Sequence, residues 1–129
     1  MTLIQTAPYA AVLTLIFITL NLLAITRRSK TTISLGDRGD DLLLEASRRQ
    51  MNFVENVPLA LLLMVIAESG GASAMILNGA GLTLVVARLI HPFGITVTRQ
   101  THPLRIIGSV ATTAVQLVMA VTILAQTFA

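Results

Sequence analysis

From Met1 to Thr26 the chain carries no Asp, Glu, Lys, Arg or His. The run exceeds the roughly 20 residues a helix needs to cross the hydrocarbon layer. In lipid only a helix or a closed barrel satisfies its own backbone, so a lone apolar run of this length reads as a membrane helix. A cleaved secretory leader calls for a basic start, a short apolar region and a small-residue cleavage site. None of these is visible, so the segment is read as a retained span. Three further apolar segments follow, and the expected spans are about 3–25, 41–67, 74–90 and 104–126. With 54% hydrophobic and 12% charged residues in a chain of 129, the expectation is an all-α integral membrane protein, a single four-transmembrane-helix domain over residues 1–129.

The connections differ in kind. The first, TRRSKTTISLGDRGDD, is polar and glycine-containing, with Asp37, Asp40 and Asp41 placed to cap the second helix where carboxylates meet its positive end. The second, ESGGAS, is a short hairpin in which Gly70 and Gly71 can adopt positive φ as a helix stop, and Glu68 just before it reads as solvated. The third, HPFGITVTRQTHP, is bracketed by Pro92 and Pro103 and cannot be continuous helix. All nine Lys and Arg lie in or beside the first and third connections. The positive-inside rule therefore puts loops one and three in the cytoplasm and both chain ends on the far side. Grouped in this way, the basic residues serve topology and site chemistry, and no nucleic-acid partner is expected.

Polarity is concentrated in EASRRQMNFVENVP, Glu45 to Pro58, where the second span begins. At about 100° per residue, Glu45, Arg48, Asn52 and Glu55 fall within an arc of about 80° on one helix face, while Arg49 and Gln50 point elsewhere. One charged side chain deep in a bilayer costs on the order of 3 kcal/mol even on the lenient insertion scale, so Glu55 needs a partner. Chemically the set suits a zwitterionic, peptide-like ligand: Arg48 can hold a carboxylate bidentately, and Asn52 and Glu55 can accept from an ammonium or amide. Pro58 removes a backbone donor inside the span, and a kink is expected there. A purely structural clasp between helices is the competing explanation for these residues.

The pattern Arg48, Asn52, Glu55, followed by Asn56 and Pro58, resembles a signature of the membrane-associated proteins in eicosanoid and glutathione metabolism, the MAPEG family. Two further anchors, ARLIHPFG (Ala87 to Gly94) and HPLRIIG (ending at Gly108), occur in the same order and at similar spacing. The resemblance covers about Arg27 to Gly108. It implies a homotrimer of four-helix subunits with glutathione as co-substrate in clefts between subunits at the cytoplasm-facing end. Carried over by position, Arg48, Asn52 and Glu55 match the glutathione-holding residues, and Gln50 a polar contact to the adjacent cleft. Arg27 or Arg28 matches an arginine reaching the tripeptide from the neighbouring subunit. Arg88 and His91 match the family's arginine and its tyrosine-or-histidine position, and Arg105 matches the arginine beside the thiol, the catalytic position. A free thiol has a pKa of about 8.5, and a guanidinium in a partly dry cleft lowers it and raises the thiolate fraction. Arg99 is a second, weaker candidate for that role. Asn56 stands where many eukaryotic members carry tyrosine, and Ile95 where the eicosanoid enzymes carry another.

These residues lead to a membrane-embedded glutathione transferase or peroxidase acting on lipophilic electrophiles, of bacterial inner-membrane type, whose partners are its own copies, membrane lipids and a lipophilic small molecule. The alternative is a non-catalytic lipid- or metabolite-binding protein of the same fold. A small multidrug transporter needs a carboxylate in its first helix, and none is present. The absence of cysteine excludes four-span dithiol quinone reductases and any cysteine nucleophile. His91 and His102 alone do not make a metal or haem site, and interfacial hydrogen bonding is expected for both.

Overall fold

A computed structural model describes residues 3–128. Four helices, α1 (Thr6–Thr31), α2 (Asp41–Ser69), α3 (Ala74–Ile90) and α4 (Pro103–Phe128), are each long and apolar enough to cross a membrane once α3 is taken with the short 3-10 turn His91–Gly94 that extends it. The protein is thus an all-α integral membrane bundle. α1 lies against α2 and α3, and α4 lies against the same two helices. The ring order is therefore α1, α2, α4, α3. α2 and α3, although joined by the hairpin, face each other across the diagonal and touch little.

The charged residues that mark the bilayer edge do not end the first helix. α1 runs through Arg27, Arg28 and Lys30 to Thr31 rather than stopping near Ile25, because Arg and Lys are good helix formers and charge only fixes where lipid gives way to water. Asp40 caps α2, its side chain accepting from Leu43 N at 2.7 Å. α2 continues unbroken through Pro58 to Ser69, so the proline does not interrupt the span. At the hairpin Gly71 takes the positive φ (88°) that a side chain would resist, while Gly70 stays at −79°.

The bundle interior is filled by Leu13 and Leu20 of α1, Phe53, Val57 and Met64 of α2, Leu77 and Leu84 of α3, and Val115 and Met119 of α4. Lipid tails are as apolar as these side chains, so what holds the helices together is close contact and polar bonding rather than exclusion from water. Glycines permit that contact where it is tightest. A Cβ on Gly81 would run into the ring of Tyr9, and one on Gly108 would lie 2.7 Å from His91 Cβ and 3.0 Å from Ala87 O. At the turn after α3, a Cβ on Gly94 would collide with the backbone of Arg105, so the 3-10 turn is seated directly on the first turn of α4.

Polar groups tie the hairpin end. The Glu68 carboxylate accepts from the backbone N–H of Gln5 (2.8 Å) and Thr6 (2.9 Å), capping α1 from 62 residues away. It is an interhelical clamp, where the sequence suggested a solvated residue. Asn78 donates to Gln5 Oε1 at 2.6 Å and accepts from Tyr9 OH at 2.7 Å, and Gln126 donates to Ala67 O at 3.0 Å.

Candidate functional site

At the opposite end a cleft of about 800 Å³ opens between α2 and α4 beneath the third connection. Its α2 wall is Leu44, Glu45, Arg48 and Asn52, one helical stripe at spacings of three and four. Its α4 wall is Arg105, Ile106, Ser109 and Val110, again one face, and Ile95, Thr96, Val97, Gln100 and Thr101 of the connection close it. The connection is held by Glu45, whose Oε1 accepts from Val97 N at 2.8 Å. Glu45 Oε2 accepts from Arg49 Nη2 at 3.0 Å, and the same nitrogen donates to Ile95 O at 2.8 Å. Glu45 and Arg49 therefore work as a clamp that sets the roof of the cleft.

The residues singled out in the sequence separate into groups. Arg48, Asn52 and Arg105 share the cleft, with both arginines exposed. Arg105 makes one long bond, Nη1 to Gln100 O at 3.3 Å, so its guanidinium is left largely uncommitted. Glu55 is exposed a turn below Asn52, outside the cleft wall, and forms neither of the ion pairs seen among the described residues. Gln50 and Asn56 also lie outside the wall. The Asn56 side chain donates to Asn52 O at 2.8 Å, and the Asn56 backbone carbonyl accepts from Gln116 Nε2 at 3.0 Å. Arg99 is exposed in the loop.

Arg27 and Arg28 are engaged within their own chain. Arg27 makes a two-pronged pair with Asp40, at 2.7 and 3.1 Å. This guanidinium, with the bond from Leu43 N–H next, holds the Asp40 carboxyl below its usual range. Arg28 gathers the carbonyls of Ile33, Ser34 and Gly36 and reaches Ser47, folding the first connection around its side chain.

Arg88 and His91 sit behind the cleft. Arg88 is only 2% exposed and crosses the ring, donating from Nη1 to Asn52 Oδ1 at 2.8 Å and from Nε and Nη2 to Thr112 Oγ1. It therefore joins α3 to α2 and α4 and orients the Asn52 amide. His91 Nε2 bonds Ser109 Oγ at 3.1 Å, so the imidazole touches the cleft through that hydroxyl. Sequence reasoning missed Ser109, although it lies four residues after Arg105 and so on the same face. It also missed Glu45 as a loop clamp and Thr112 as the acceptor for Arg88. Among the described residues no cluster of His, Cys, Asp and Glu has the makings of a metal site.

This arrangement presents two cations, an oriented amide and a hydroxyl to a cleft whose remaining lining mixes the apolar Leu44, Ile95, Val97, Ile106 and Val110 with Glu45, Thr96, Gln100 and Thr101. The sequence model of the MAPEG family matches residues 6–125. The chain belongs to that family. Among curated relatives, Inner membrane protein YecN of Escherichia coli strain K12 is 31% identical over 88 residues, 68% of this chain and 67% of the relative. The protein of the same name from Escherichia coli O6:H1 matches with the same figures. No solved structure matches the chain. In this MAPEG protein Arg48 and Asn52 of α2 and Arg105 of α4 line one cleft, with Ile95 in its roof.

Proposed function

We propose that this MAPEG protein is a glutathione-dependent transferase or peroxidase of the bacterial inner membrane, acting on lipophilic electrophiles that enter from the bilayer. The observation that carries the proposal is the wall of the cleft: Arg48 and Arg105 stand exposed on α2 and α4 beside Asn52 and Ser109, with Ile95, Ile106 and Val110 adjoining. The polar half suits a peptide bearing carboxylates, the apolar half a greasy co-substrate. The volume lies within the range of small-molecule sites, ~300–1,000 Å³.

In this reading Arg48 holds a glutathione carboxylate as a bidentate pair and Asn52, fixed by Arg88, accepts from a peptide N–H. Arg105 faces the sulfur, and its positive charge favours the ionised thiolate. The cleft contributes mainly proximity, holding the thiolate against the electrophilic carbon while the new S–C bond forms and the leaving group departs with its electron pair. Exposed Glu55 at membrane depth fits a homotrimer in which a neighbouring copy supplies its partner. The basic loops then face the cytoplasm and the termini the periplasm.

Calorimetric titration of glutathione into purified protein tests the proposal. Saturable binding weakened in Arg48→Ala, with turnover of an aryl halide lost in Arg105→Ala, is the expected result; absence of both binding and turnover in the wild type overturns it. Ile95 favours a second reading, since the roof offers glutathione no hydroxyl there. A non-catalytic lipid- or metabolite-binding protein would bind without turnover, lose binding in Glu55→Gln and tolerate Arg105→Ala.

A further inference from the structure

Across the ring from the cleft, a second cavity of about 340 Å³ lies between α1 and the α3 corner. Ile16, Leu20 and Leu23 of α1 and Leu89, Pro92 and Phe93 of the corner give it apolar walls, and Arg49 and Arg88 are its only charged lining residues. No carboxylate among the described residues lines it. Leu23 is 55% and Phe93 74% exposed, so the cavity opens at the outer surface of the chain.

The two guanidiniums are incompletely used. Arg88 is buried, pairs with no carboxylate among the described residues, and places three donor atoms on neutral acceptors of Asn52 and Thr112. A guanidinium carries five N–H donors, so part of its capacity is unspent in a medium where a lone charge is costly. Arg49 commits Nη2 to Glu45 and Ile95, while its Nε is buried with no partner at all. A buried cation without a counter-charge and an orphaned cationic donor line one apolar cavity. An anion with an apolar tail would satisfy both. A neutral lipid would leave the charge uncompensated, and a hydrophilic anion would leave the apolar walls unfilled.

We infer that this cavity binds the anionic head of a single-chain amphiphile, a carboxylate or phosphate bearing an acyl chain, with the head on Arg49 and Arg88 and the chain leaving past Leu23 and Phe93. The site is formed within one chain, does not overlap the thiol-peptide cleft and does not depend on glutathione. A membrane offers the head from two sources, free fatty acid and lysophospholipid.

The test uses the full chain, stripped of lipid in a neutral detergent, with binding followed by native mass spectrometry. Three probes of equal chain length are compared: palmitate, 1-palmitoyl-glycerol phosphate and neutral monopalmitoyl glycerol. At least one anionic probe should bind about tenfold or more tightly than the neutral one, a difference of ~1.4 kcal/mol, and whichever anion wins identifies the source. Arg88→Ala can unfold the bundle through Asn52 and Thr112, so the decisive variants are Arg49→Gln, which removes the guanidinium with its unpartnered Nε, and Leu23→Trp, which fills the mouth from an exposed position. Each should weaken the anionic probe several-fold while glutathione titration of Leu23→Trp stays at the wild-type value. Equal binding of the neutral probe, or anionic binding unchanged in both variants, overturns the inference.

Discussion

The two ends of the bundle are built from similar side chains put to opposite use. At the hairpin end Glu68, Gln5, Asn78, Tyr9 and Gln126 bond to one another or to helix ends, and among the described residues Thr6 Oγ1 is the one buried side-chain oxygen left without a partner. At the loop end Arg48, Arg99 and Arg105 are exposed, and only Arg105 of the three donates a bond, a long one. Pairing inside a membrane protein removes the cost of a polar group, and a group left unpaired retains that cost until something binds it. The hairpin end is therefore finished by the fold, whereas the loop end keeps arginines that stand outside both ion pairs seen among the described residues.

The largest expected effect joins the two properties. Gly94→Val would drive a side chain into the backbone of Arg105, which cannot rotate away. Overpacking ordinarily costs ~1–3 kcal/mol, and a backbone obstacle puts this substitution at or above the top of that range. A thermal melt followed by circular dichroism in fixed detergent should fall steeply, and glutathione binding should vanish with it because Arg105 is displaced. Retention of both would break the link between the turn and the cleft.

Glu68→Ala should separate the ends. It orphans two backbone N–H groups at the start of α1, at ~1–3 kcal/mol for buried donors left unsatisfied. Stability drops while glutathione affinity holds. Arg48→Ala should do the reverse: an exposed residue away from the core changes stability by no more than ~0.5 kcal/mol, whereas losing a charged contact weakens glutathione by about tenfold, ~1.4 kcal/mol. If Arg48→Ala lowers the melting temperature as much as Glu68→Ala does, the division between a finished and an unfinished end is wrong.

What the sequence makes legible follows from periodicity and from cost. Apolar runs mark the spans, the 3.6-residue repeat puts Glu45, Arg48 and Asn52 on one stripe, and the Asp at Asp40 announces a helix start; all three are local signals. The end of α1 is less legible because hydropathy reports the lipid boundary and not the last hydrogen-bonded turn. Long-range bonds leave no such trace: Glu68 to Thr6 spans 62 residues, Arg88 to Thr112 spans 24, and each looks like an isolated polar residue until the helices are assembled. The wheel also gives direction without depth, so it groups Glu55 with Arg48 although Glu55 falls below the cleft wall.

The smallest effect belongs to a paired group at the unfinished end, and it asks whether pairing or location decides the role. Asp40 accepts from Arg27 and caps α2 at the basic surface, and its carboxyl is held below the usual range chiefly by the Arg27 guanidinium. A folded-state pKa below the unfolded value of about 3.9 means that the stabilisation is present above that pH and fades as pH falls through the folded pKa. Asp40→Asn keeps an oxygen for Leu43 N–H and loses the ion pair, so only the Arg27 contribution is removed. Melts of the two proteins should differ slightly at pH 7 in low salt, draw together in high salt as the half-buried pair is partly screened, and converge again below about pH 4 as the wild-type carboxyl protonates. Glutathione affinity should be the same in both. If Asp40→Asn instead changes affinity and leaves the pH profile of stability untouched, then location outweighs pairing, and the arginines of the first connection belong to the site.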